Sequence, residues 1–317
     1  MNESLGKRIE LFVNNRNAVK KEFKMASPMM HCLCALLLTA QAKSVDASAI
    51  DECKEELKKD VKAFSSLRGI GRPALLTQFS IVDDRQSVID KTKYAYRLLR
   101  EDGFLGTDYL PLSAFILARN EVDAQLSRRS RELFGQMRDE HKTLTGGDDS
   151  SYATLMAVYK LPIGLSCDAF SLLQTRLLFR NETWLMSHIL AFDEVNIERN
   201  AAKTIKLLDR MKAAKMRFRA VESPILAVLA LIGCDVEDAV GQVAQISREL
   251  KENKGFSKWQ ISKGQRQLYS ACLYAMEKIG QRTKDTEQRK ISYVLIVTML
   301  TTITMATIQI ASAAAAQ

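Results

Sequence analysis

The chain is poor in the residues that punctuate sheets and build reaction centres. It has only 5 prolines in 317 residues, and no sustained Val/Ile/Thr alternation outside its tail. That combination excludes a sheet protein. With 3 histidines and no Ser–His–acid or Cys–His arrangement discernible, hydrolase chemistry has little to work with. No CxxC or HxxxH spacing occurs, and His31, Cys32 and Cys34 are too close in sequence to converge on a metal from one helix. Gly69-Ile70-Gly71 lacks a third glycine and a preceding strand, so it is no phosphate cradle. Gly146-Gly147-Asp148-Asp149 resembles the turn of a nucleotide cyclase without its strands, and reads as turn and cap. His188 follows Trp184 by four positions and reads as a packed helix pair; His141 sits at a polar helix end, where the dipole suffices. Residues 1–8 bring early charge and no apolar segment, which argues against a secretory leader. The 6 cysteines therefore read as reduced thiols of a cytosolic protein. No catalytic residue, metal or cofactor is expected.

What is present is a recurring unit. Small residues inside apolar stretches, at Ala40, Ser80, Ala118, Ala157, Ala191, Ala230 and Ala275, follow one another at 40, 38, 39, 34, 39 and 45 residues. Periods of this size mark stacked helical hairpins. A small residue lets a neighbouring helix approach, while flanking Leu, Ile and Phe fill the groove. Each anchor is followed by an amphipathic stretch: Ile50, Cys53, Leu57 and Val61, or Val236, Ala239, Val243, Ile246 and Leu250, keep helical 3–4 spacing. Asp46 is placed to cap one of these helices, and Pro73, Pro111, Pro162 and Pro224 fall near helix starts.

The expected fold is all-α: an α-solenoid-like array of stacked hairpins, about seven repeats of roughly 39 residues. Residues 1–24 are expected to cap the array, 25–290 to form the repeats and 291–317 to form a C-terminal apolar helix. Tetratricopeptide arrays are similar in architecture only, since their unit has 34 residues and a fixed residue pattern.

Several segments carry a resemblance to a known family. They are Ile9-Glu-Leu-Phe-Val-Asn-Asn-Arg-Asn17 with Lys21-Glu-Phe-Lys24, Met29-Met-His-Cys-Leu-Cys-Ala35, Tyr109-Leu-Pro-Leu-Ser-Ala114, Gln265-Arg-Gln-Leu-Tyr-Ser-Ala-Cys272 and the alanine-rich end. In these the chain resembles an uncharacterised bacterial family, the domain-of-unknown-function family numbered four thousand and three. The resemblance covers nearly the whole chain and implies one long domain in an intracellular bacterial protein. It transfers no site residues. Residues 291–310 are more apolar here than the ends of relatives.

Charge is uneven. Residues 199–290 hold 19 Lys/Arg against 10 Asp/Glu, and the other residues hold 27 of each, so the whole net charge of +9 lies in that third. Lys212, Lys215, Arg217 and Arg219 crowd one turn; Lys254, Lys258, Lys263 and Arg266 surround Phe256 and Trp259. This basic patch is read first as a solvated face, then as a membrane-proximal surface, and last as a nucleic-acid surface, for which no motif is present. Behind Arg289 and Lys290, the 27 residues from Ile291 onward carry no charge. As a helix, 291–311 would span about 30 Å, the thickness of a bilayer core. The tail is expected to enter a membrane from the cytoplasmic side, with self-association or a capping role in the array as alternatives.

The functional expectation is a non-catalytic scaffold that binds a protein partner on its concave wall. The alternative is an enzyme or small-ligand-binding protein whose groove the sequence does not display.

Overall fold

Each small-residue anchor lies on a helix buried along most of its length, and between these helices run longer amphipathic ones. The computed structural model describes residues 3–59, 61, 65–120, 122–177, 180–257, 260–281 and 286–315. Among them are fifteen α-helices and no strand. The anchor-bearing helices are α2 (Pro28–Ala40), α4 (Arg72–Ser80), α6 (Leu110–Ala118), α8 (Asp149–Val158), α10 (Asn181–Leu190), α12 (Pro224–Leu231) and α14 (Lys263–Gly280). Ala191 is the residue that ends α10. Alternating with them are α1 (Glu3–Glu22), α3 (Ala47–Lys58), α5 (Arg85–Glu101), α7 (Ala124–Glu140), α9 (Gly164–Gln174), α11 (Ile197–Ala213) and α13 (Val236–Glu252). The last helix is α15 (Thr286–Ala315).

Local chemistry sets these boundaries. Pro28, Pro73, Pro111 and Pro224 stand in the first turns of α2, α4, α6 and α12, where no backbone donor is needed. Asp46, Asp84, Asp123 and Asp235 accept from the backbone N–H three residues on and start the outer helices α3, α5, α7 and α13. Every residue of α12 is buried, as expected of a helix that is apolar all round. By contrast, α11 buries only one face, through Ile197, Ala201, Thr204, Leu207 and Met211.

The hairpins stack in two layers that come back to their start. Around the inner layer the neighbours are α2, α4, α6, α8, α10, α12, α14 and then α2 again. Each inner helix is backed by the outer helix before it in the chain, and α1 reaches both α13 and α14. The array thus closes into a ring. At the seam Phe12 of α1 meets Tyr269 of α14 with ring centroids 6.1 Å apart, and Phe256 at 5.4 Å. Arg8 Nε and Ser4 Oγ both donate to Glu277 Oε2, at 3.3 and 3.0 Å. Helix α1, expected as a cap on one end, packs on the first and last hairpins alike.

The ring is threaded by α15. This helix packs on α2, α8, α12 and α14, and on the short 3-10 turn Ala220–Glu222. Its first turns lie beside Tyr159 and Gly280, where inner helices end, and Leu300 and Thr304 lie beside Gly71 and Tyr109, where others begin. It therefore runs antiparallel to them. Its 30 residues are about 45 Å long, against about 14 Å for the 9-residue α4 and α6. Ile291, Val294, Leu295, Val297, Met299, Leu300 and Ile303 are buried in the main core. At about 1.5–3 kcal/mol for each such side chain, this face contributes on the order of 10–20 kcal/mol before entropy is subtracted. Thr298, Thr301, Thr302 and Thr304 are buried too, facing protein.

Candidate functional site

Beside α4 and α6 the axial helix does not fill the ring. A cavity of about 770 Å³ opens there, at the end where α2, α4, α6 and α14 terminate. Its apolar wall includes Ile81, Val82, Leu112, Phe115 and Ile296, and its rim carries Arg8, Asp83, Arg119, Arg289 and Tyr293. Arg8 is committed to Glu277, and Gln288 Nε2 donates to the Ile279 carbonyl at 2.8 Å. Arg119 and Arg289 are exposed, and neither guanidinium has an ion pair or hydrogen-bond partner among the described residues. Arg289 lies close enough to Tyr159 to favour its phenolate, although burial dominates and pushes that phenol up to about 12.

Gln78 is the unusual member. It sits in the buried face of α4, only 6% exposed, and its Nε2 meets no acceptor among the described residues. An unpaired buried donor costs about 1–3 kcal/mol. The same side chain lines the narrow continuation of the cavity between α4, α6 and α15, with Leu75, Leu300 and Thr304. A separate cavity of about 460 Å³, on the other flank of the first turn of α15, is lined by Tyr159, Leu161, Glu194 and Lys290.

The structure also assembles a Ser–His–acid chain that the sequence conceals, because its members come from three helices. Ser166 Oγ lies 3.0 Å from His188 Nδ1, and Asp149 Oδ1 lies 3.3 Å from His188 Nε2, close in distance but out of hydrogen-bond line. Ser166 and His188 are 0% exposed and Asp149 is 1% exposed. Burial lowers the His188 imidazole to about 3 and raises the Asp148 and Asp149 carboxyls to about 7. The expected Trp184–His188 pair is there, with ring centroids 4.4 Å apart. Asp149 Oδ2 accepts from Gly146 N–H at 2.7 Å, tying down the Gly-Gly-Asp-Asp turn. This is a polar network sealed from solvent.

The basic residues singled out by sequence divide by role. Arg266 is buried and donates through Nη1 to the carbonyls of Phe256 and Ile261, at 3.1 and 2.9 Å. Arg219 grips the fully buried Glu222, with Nη2 2.7 Å from Oε1. Lys263 Nζ donates to the Lys215 carbonyl at 2.9 Å, which brings the start of α14 to the 212–219 turn. Lys212, Lys215, Arg217, Lys254 and Lys263 are exposed. Lys258 and Trp259 lie outside the described residues. Of the three residues at the expected membrane border, Arg289 is on the cavity rim, Lys290 pairs with Glu287 at 3.0 Å, and Ile291 is buried.

His31 and its neighbouring thiols have structural partners. His31 Nε2 is 2.8 Å from the Phe23 carbonyl oxygen, and burial pushes the Cys32 and Cys34 thiols up to about 12.

Gln78, Arg119 and Tyr293 were not singled out from sequence. The available signal was a long amide inside a buried stripe, Leu75-Leu76-Thr77-Gln78-Phe79, where a core helix ordinarily avoids one.

No curated protein and no solved structure matches the chain. The model of the family described as Protein of unknown function (DUF4003) matches residues 15–313, nearly the whole ring and its axis, and the chain belongs to that family.

Proposed function

We propose that this protein is a non-catalytic binding module: seven hairpins, each a variant of one unit of about 39 residues, closed around their own C-terminal helix to hold a small molecule in the remaining groove. The observation that carries this reading is the cavity of about 770 Å³ itself, which the axial helix leaves open between an apolar wall and a charged rim. Ligand sites are concave, mostly apolar and marked by a few convergent polar groups, at volumes of about 300–1,000 Å³. The polar residues on the rim fit that pattern, and the sealed state of Ser166 speaks against catalysis there.

The same geometry weighs on the other readings. A protein partner gripped on the concave wall would compete with α15 for that space, which favours a ligand inside over a scaffold outside. Helix α15 is long and apolar enough to cross a membrane, yet 67% of that stretch is buried inside the protein. This supports an axial role over a lipid span or self-pairing through the tail. Five of the six free thiols are buried, in keeping with an intracellular setting.

N-phenyl-1-naphthylamine, a neutral apolar fluorophore, tests the groove. Titration of the full chain is expected to give saturable enhancement at one site. Ile296→Trp and Leu112→Trp, both at half-buried lining positions, should each abolish it with the fold retained. A response that does not saturate, or that survives both variants, overturns the proposal.

A further inference from the structure

We infer that the groove takes a single-chain anionic amphiphile, its phosphate or carboxylate held between Arg119 and Arg289 and its chain lying along Ile81, Val82, Leu112 and Ile296. The inference rests on the binding reading above and adds the chemistry of the ligand.

Two features converge on that class. The first is charge at the mouth. Arg8 is neutralised by Glu277, while Arg119 and Arg289 face the opening without a partner among the described residues and outnumber Asp83. Guanidinium forks hold phosphate and carboxylate oxygens through paired N–H donors. A cationic ligand would meet two like charges.

The second feature is the wall. Ile81, Val82, Leu112, Phe115 and Ile296 give the cavity an apolar wall, against which a polar ligand such as a sugar would bury hydroxyls at a cost. An alkyl chain loses nothing there.

Charge at the opening and an apolar wall beside it describe a lysophospholipid-like molecule better than a free anion or a plain hydrocarbon.

The test is displacement of N-phenyl-1-naphthylamine from the full chain, below the critical micelle concentration of each competitor. Lauroyl lysophosphatidate and monolaurin differ only in the phosphate. Lysophosphatidate is expected to displace the probe at a concentration at least ten-fold lower than monolaurin. Dodecyltrimethylammonium and inorganic phosphate alone should fail to displace it. In Arg119→Ala/Arg289→Ala, a change confined to exposed side chains, the ten-fold preference should fall below three-fold, with monolaurin unaffected. Equal displacement by monolaurin, or an unchanged preference in the double variant, overturns the ligand class and leaves the groove standing. Displacement by inorganic phosphate alone would show an anion site without a chain site, and also overturns it. Absence of a probe site removes the groove and the ligand class together.

Discussion

The hydroxyls of Tyr152 and Thr298 lie 2.9 Å apart at the axis of the ring, joining residues 146 positions apart in the chain. Both side chains are buried, and Thr298 also donates to the Val294 carbonyl at 2.8 Å. With the Thr298 proton committed to Val294, Tyr152 donates across the gap, and the pair is a direct probe of where α15 sits. Tyr152→Phe should cost about 0.5–1.5 kcal/mol in urea unfolding, the net worth of one buried hydrogen bond. A double-mutant cycle with Thr298→Val should return a coupling of the same size. Zero coupling would place Thr298 elsewhere.

The buried acids make stability depend on pH in a stated direction. Asp149 has a carboxyl raised from 3.8 to about 7, so the folded state binds its proton more tightly than the unfolded state. Its contribution is complete below 3.8 and is lost as pH rises through about 7. His188 works the other way: lowered to about 3, it must stay neutral in the fold and costs stability only as pH falls below its ordinary 6.5. Asp149→Asn keeps an oxygen for the Gly146 N–H and cannot ionise. The variant's gain on the parent should be larger at pH 8 than at pH 5 by at least about 1 kcal/mol. Equal melting shifts at both values would contradict this.

The basic residues should separate cleanly. Arg266→Ala strands two buried carbonyls, those of Phe256 and Ile261, and should cost about 2–4 kcal/mol. Lys212→Ala, on an exposed side chain, should stay within about 0.5 kcal/mol. Comparable melting temperatures for the two variants would show that Arg266 is a surface charge after all.

Much of the fold is written locally. Helix class, the buried anchors and the proline and aspartate boundaries follow from spacings of three or four residues, and each of the seven anchors falls on an inner helix or its last residue. Ring closure is different, because it rests on contacts such as Phe12 with Tyr269 that no short window contains. The tail is ambiguous in principle: a helix without charge looks the same whether its neighbours are lipid chains or other helices. Its buried threonines become informative only once Tyr152 is seen opposite Thr298. The groove was the least legible part. In sequence Arg119 is an ordinary surface cation and Arg289 reads as a membrane border, and they share a rim only because α15 begins where α6 ends.

The central claim is that α15 is the axis around which the ring is built, and the melting temperature of a chain ending at Lys290 tests it most directly. Loss of α15 would open the lining of α2, α8, α12 and α14 to water. Residues 1–290 should therefore lose cooperative melting or melt at least about 15 °C below the full chain, since 1 kcal/mol is worth roughly 2–4 °C in domains of 150–250 residues. A truncated chain that melts cooperatively at the temperature of the full chain would contradict the account and make residues 291–317 an appendage of a self-sufficient ring.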